Sequence, residues 1–220
     1  MKMIKAIIFD LDNTILDRTS TFRRFTKSFL SIYFDHLEMT QDISDRIIQL
    51  DQDGYKDKQE LFSELLEQLP WKEKPLITDL LNFYSTEYVK NAVLMEDARD
   101  VVQHARKKYK TGLITNGKSL IQYGKIDQLG IRNDFDLIIV SEEAGIKKPD
   151  PGIFELAFKQ LELRPEECIY IGDHPINDIE GAAKSGMETI WIKVNQPWND
   201  GIIAKPLHQI ERLSTLFELI

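Results

Sequence analysis

Apolar and polar positions change period twice along this chain, and the changes mark out its elements. Ile4-Lys5-Ala6-Ile7-Ile8-Phe9 is a short apolar run with the length and β-branched content of a buried parallel strand. From residue 94 onward, helical spacing alternates with further short apolar runs. The pattern predicts a helix over 97–106, a strand ending at Thr115, and a helix from Ser119 to Leu129 stopped by Gly130. Phe135 to Val140 reads as the next strand, and Asp150-Pro151 starts a helix ending near Leu161. A strand from Cys168 to Ile171, a helix over 178–184 closed by Gly186, a strand from Thr189 to Val194 and a helix from Leu207 to Leu219 follow. This alternation implies an α/β fold: a mostly parallel sheet with helices on both faces.

Residues 17–93 break the alternation and read as helical throughout. Thr21 can cap a helix carrying Phe22, Phe25, Phe29 and Ile32 at helical spacing, and Thr40 a second through Ile43, Ile47 and Leu50. Leu61, Leu65 and Leu69 define a third helix; Leu76, Leu80, Phe83 and Tyr84 define a fourth. The expected organisation is therefore an α/β domain over 1–16 and 94–220 with an inserted helical domain over 17–93. The stripe of Phe22, Phe25 and Phe29 reads as packing core.

A length of 220 residues allows a sizeable core. The net charge of −8 argues against a general nucleic-acid surface or an anionic membrane surface and suits a cytoplasmic protein, so an anionic ligand needs a local cation. No run approaches the ~18 apolar residues of a membrane span. Cys168, the single cysteine, excludes an intrachain disulfide framework, fits a reducing compartment, and reads as a small core residue.

The first strand runs out into Asp10-Leu11-Asp12-Asn13-Thr14. Ligands of open α/β sheets bind beyond the carboxyl ends of strands, and a buried edge ending in Asp-x-Asp is unfavourable unless its charges meet a cation or a proton. An Asx-turn leaving the strand explains the segment equally well when it is taken alone. Three further segments accompany it: Thr115-Asn116-Gly117, Lys148-Pro149-Asp150-Pro151 and Gly172-Asp173-His174-Pro175-Ile176-Asn177-Asp178. The second, alone, is also a good β-turn.

In this order the four segments resemble the motif set of the haloacid dehalogenase-like (HAD) superfamily, most closely its phosphatases with a small helical cap. The core strings Leu113 to Gly117 and Ser141 to Pro149 look like those of certain pyrimidine nucleotidases and of the acylneuraminate-9-phosphatases. The resemblance implies a Rossmann-like core and a cap over 17–93 that opens and closes over the site. It implies a Mg²⁺-dependent phosphatase acting on a small phosphorylated metabolite, a nucleotide or sugar phosphate, through an aspartyl-phosphate. Asp10 would be the nucleophile, and Asp12 would protonate the leaving oxygen and then activate water. The Asp10 carboxylate, the Asp12 backbone carbonyl and the Asp173 carboxylate suit Mg²⁺, with Asp178 bearing on the ion through water; helix N-capping explains Asp178 as well.

Thr115 would offer its hydroxyl to the phosphate, with the backbone amides of Asn116 and Gly117, and Lys148 would place an ammonium on both phosphate and Asp10. Lys147 reads as a solvated neighbour and His174 as a loop residue without a role. A phosphomutase shares all four motifs; a 2-haloacid dehalogenase is disfavoured by Asp12; a silent binding module is disfavoured because every expected side chain is present. Arg18, Arg23, Arg24 and Lys27 lie near the expected hinge, either as contacts for a second anionic group or, more simply, as a solvated helix face.

Overall fold

In the computed structural model, which describes residues 3–220, the chain divides into two compact units. One comprises Met1–Asp17 with Leu94–Ile220, the other Arg18–Val93. Among the described residues, no helix is long and apolar enough to cross a membrane.

The larger unit is built on six strands: β1 (Ala6–Phe9), β2 (Lys110–Thr115), β3 (Leu137–Val140), β4 (Cys168–Gly172), β5 (Glu188–Ile192) and β6 (His208–Ile210). They form one sheet in the order β3-β2-β1-β4-β5-β6, and every pairing is parallel. Phe9 of β1 stands beside Leu113 of β2 and Ile171 of β4. The chain moves outward from β1 to β3, then crosses to β4 and moves outward the other way. The carboxyl ends of β1, β2 and β4 therefore surround a topological switch point, where an open sheet leaves a crevice.

The smaller unit contains α1 (Arg18–Tyr33), α2 (Gln41–Asp51), α3 (Lys58–Gln68) and α4 (Ile77–Lys90). Its core is aromatic: Phe25 meets Phe29, Phe83, Tyr84 and Tyr88 with ring centroids 5.3–6.2 Å apart. Burial of each such side chain is worth roughly 1.5–3 kcal/mol. Four expectations change here. The helix α1 begins before Thr21, which is buried inside it and accepts the Val93 N–H at 3.1 Å. Its apolar face continues through Tyr33, four residues after Phe29, so Ile32 faces solvent. Leu76 precedes α4 and is exposed, leaving Leu80, Tyr84 and Tyr88 as that helix's buried face. Arg18 is not on a solvated face; it is buried, 2.5 Å from Asp51, and Lys58 reaches the other Asp51 oxygen at 2.8 Å.

In the α/β unit, α5 (Ala98–Arg106), α6 (Ser119–Gln128), α7 (Ser141–Ala144) and α8 (Pro151–Leu161) follow their strands. Later come α9 (Gly181–Lys184) and α10 (Leu216–Leu219). Ile153, Phe154 and Ala157 of α8 pack with Ile8, Ile114, Ile139 and Tyr170 of the sheet. The helix expected over 207–219 is absent: β6 stands there, followed by a short 3-10 turn and the four-residue α10. Leu207 donates to Thr189 and Lys193 to Ile210, so this segment pairs the edge of β5 that a helix would leave open.

Candidate active site

The ends of β1 and β4 lie side by side, and the Asp10 N–H donates to the Ile171 carbonyl at 2.9 Å. One step beyond β4, the backbone of Asp173 is held by the Trp191 indole, which donates to its carbonyl at 2.7 Å. The chain then winds into a π-helical turn over Pro175–Glu180 before α9. His174 starts that turn: its Nδ1 accepts the N–H groups of Ile176 and Asn177, both at 3.1 Å. This residue, expected to have no role, is the cap of the turn. Asp178, inside it, accepts the His174 N–H at 2.9 Å and so aims its carboxylate back at the end of β4. Gly172 makes room for it, since a Cβ there would lie 2.5 Å from Asp178 Cγ.

This geometry gathers Asp10, Asp173 and Asp178, all buried, with one carboxylate oxygen of each within 4.8 Å of the others. Lys148, 3 % exposed, enters the same cluster. Its Nζ lies 2.5 Å from Asp10, 2.7 Å from Asp178, 2.9 Å from the Tyr170 hydroxyl and 3.0 Å from the Ile114 carbonyl. Burial alone would lower the Lys148 pKa, but the carboxylates of Asp10 and Asp178 hold it well above its usual value, so the ammonium stays charged. Asp10 is pushed up to about 7, first by burial and then by Asp178 and Asp12, against the pull of Lys148. Lys148 contacts two of the three carboxylates, and the three together form a buried all-oxygen donor set. Such a set fits a hard divalent cation.

The residues expected to hold phosphate are placed less simply. Thr115 is buried, and its hydroxyl already accepts from the Gln122 amide. Asn116 uses its side chain to clamp the backbone of Lys148, donating to its carbonyl at 3.0 Å and accepting its N–H at 2.9 Å. The Gly117 N–H, at a φ of +147° that favours glycine, donates to Ser141 Oγ at 3.0 Å. Lys147 is exposed, and Cys168 is a buried core residue whose thiol burial pushes up to about 12. The Asp12 carboxylate is held by Lys125, whose Nζ lies 2.7 Å from both its oxygens. The motif reading missed Lys125, Gln122 and Tyr170. For the first two the available signal was their i, i+3 spacing on α6, which puts them on one face.

A parallel sheet whose switch point holds buried carboxylates and a lysine defines a Rossmann-like α/β protein with a candidate site at the carboxyl ends of its central strands. More narrowly, the chain belongs to the haloacid dehalogenase-like hydrolases, whose family model matches residues 7–192. The glyceraldehyde 3-phosphate phosphatase of Pyrococcus furiosus is 28% identical over 197 residues, 88% of this chain and 82% of that protein. The N-acylneuraminate-9-phosphatase of Homo sapiens is 25% identical over 211 residues, 89% of this chain and 85% of that protein. Among solved structures, the magnesium-bound putative HAD-hydrolase YfnB of Bacillus subtilis shares the fold, with a TM-score of 0.83, 23% identity and 99% of each chain covered.

Proposed function

We propose that this chain is a phosphoric monoester hydrolase that cleaves a small phosphorylated metabolite through an aspartyl-phosphate on Asp10. One observation carries the reading: a buried Lys148 touches Asp10 and Asp178 inside a cluster of three buried carboxylates that could hold a metal ion. Such a site favours an incoming dianion once a cation is present. The names of the relatives, phosphatases of a triose phosphate and of a sugar-acid phosphate, support a sugar phosphate over a nucleotide.

In the first step an Asp10 oxygen attacks phosphorus. The ester P–O bond breaks, and its electron pair goes to the leaving oxygen, which takes a proton from Asp12. In the second step Asp12 takes a proton from water, the water oxygen attacks phosphorus, and the acyl-phosphate bond breaks to return the Asp10 carboxylate. Lys148 offsets the repulsion between Asp10 and the phosphate. The carboxylates of Asp10 and Asp173 and the Asp12 carbonyl would hold Mg²⁺, with Asp178 beside them; when bound, the ion supplies Lewis-acid stabilisation of phosphoryl charge. Thr115, Asn116 and Gly117 shape the wall of the phosphate site at the end of β2, with Asn116 also fixing Lys148. The helical unit Arg18–Val93 is assigned as the cap that selects the leaving group. A panel of phosphorylated metabolites assayed for free phosphate tests this function. Release that requires Mg²⁺ and stops with EDTA is expected, whereas phosphate transfer without release would make the chain a mutase.

A further inference from the structure

The acid–base residue of the proposed mechanism must serve two opposite proton transfers at one point in space. Asp12 leaves β1 on a turn, with its side chain 25% exposed. Two side chains of α6 hold its carboxylate. Lys125 Nζ lies 2.7 Å from each Asp12 oxygen, and Gln122 Nε2 lies 3.0 Å from one of them. Gln122 is itself tied to the end of β2 through the Thr115 hydroxyl and the Asn116 carbonyl, the latter at 2.9 Å. Both side chains are almost wholly buried, 2% exposed for each residue. Burying an ammonium on a helix surface is unfavourable unless a carboxylate meets it, and here the carboxylate is Asp12.

We infer that Lys125, with Gln122, is a positioning residue that fixes the Asp12 carboxylate at the leaving-group side of the site. The inference rests on the phosphatase reading above and deepens it. The two contacts keep Asp12 from turning toward the acidic cluster, where it would raise the negative charge and lose its reach to the leaving oxygen. They also join the ends of β1 and β2 through one amide, so that the nucleophile turn and the phosphate turn keep a common geometry.

The test uses the full chain, with 4-nitrophenyl phosphate and the best alkyl phosphate of the panel as probes. Lys125→Met is expected to lower kcat on the alkyl ester by ~10- to 100-fold, the scale of misplacing an acid–base group, with KM little changed. On the aryl ester, whose leaving group needs no acid, the first turnover stays near the wild-type rate. The steady state slows, because water activation still needs Asp12, and a burst of nitrophenolate appears. Lys125→Arg restores part of the loss, and in an Asp12→Asn background Lys125→Met adds nothing further. Should Lys125→Met fail to fold, Gln122→Met is read in the same way. Unchanged kcat, equal slowing of the aryl first turnover, or a full additional loss in the Asp12→Asn background would overturn the clamp. A wild-type chain inactive on every ester would instead overturn the phosphatase reading on which it rests.

Discussion

A carboxylate that attacks phosphorus has to be dry enough to be nucleophilic and paired well enough to be ionised. On the proposed mechanism Asp10 meets the first demand by burial, which raises its pKa to about 7 against the pull of Lys148 at 2.5 Å, and a bound cation would complete the second. Asp10→Asn keeps the shape of the side chain and removes the nucleophile. It is expected to fold, to keep α/β secondary structure by circular dichroism, and to lose turnover by ~10⁴-fold or more, the scale seen when an enzyme nucleophile or its partner is removed. Retention of even a tenth of wild-type phosphate release would contradict covalent catalysis at this residue. Asp10, Lys148, Asp173 and Asp178 were picked out by the resemblance of the four motif segments, and the structure brings them together. Lys125, Gln122 and Tyr170 were not picked out, since their chemistry depends on which face of a helix or strand meets the site. Arg18 was misread for a related reason: its partner Asp51 is 33 residues away, and no local pattern announces a long-range ion pair.

Elements were read best where period and flanking chemistry agreed. Four of the five strands expected match observed ones at one end or the other, and the Asp150-Pro151 start of α8 is as expected, with the Asp150 side chain accepting the Gly152 N–H. Leu207 to Leu219 was expected as helix, yet the edge of β5 recruits His208–Ile210 into the sheet. Tertiary pairing outweighed local preference there. The pairing of β1 with β4, which sets Asp10 beside Asp173, has its own fastening at the opposite end. The Lys5 N–H donates to the Glu167 carbonyl at 2.8 Å, Lys5 Nζ lies 2.8 Å from the Glu167 carboxylate, and the Arg164 N–H reaches that carboxylate at 2.9 Å. The hydrogen bond from Lys5, followed by that from Arg164, lowers the Glu167 pKa from its usual 4.5 to about 2. Between those values the unfolded chain binds the proton more readily, so this fastening is fully present above about 4.5 and lost as pH falls through about 2. Glu167→Gln should therefore melt below wild type at pH 7, and the two melting curves should converge as pH is lowered through that window. A difference that stayed constant down to pH 2 would mean the carboxylate charge contributes nothing at this junction.

For the molecule as a whole, a net charge of −8 has to be reconciled with an anionic substrate. On the proposed function, the α/β unit would supply Lys148 and a cation site for the phosphate itself, chemistry common to every ester. On the same proposal, discrimination among leaving groups would fall to the helical unit, whose first helix exposes Arg23, Arg24 and Lys27 while keeping Arg18 buried against Asp51. That division makes a sharper experiment than the sequence alone allowed, because Arg18 drops out as a probe of recognition: its loss would leave Asp51 short of a partner and threaten the fold of the unit. Charge reversal at Arg23, Arg24 or Lys27 touches neither the aromatic core nor that buried pair. If the helical unit selects by charge, these variants should keep wild-type melting temperatures and wild-type turnover of 4-nitrophenyl phosphate, while kcat/KM shifts toward esters whose leaving group carries no second anionic group. A second anion interacting with one exposed cation in water is worth about 1 kcal/mol, so the shift expected is several-fold per residue and weakens as salt is added. Unaltered selectivity across the whole panel at low salt would reduce the three residues to a solvated face and move recognition elsewhere in Arg18–Val93. Equal loss on aryl and alkyl esters alike would tie them to the catalytic steps and break the proposed division between the two units.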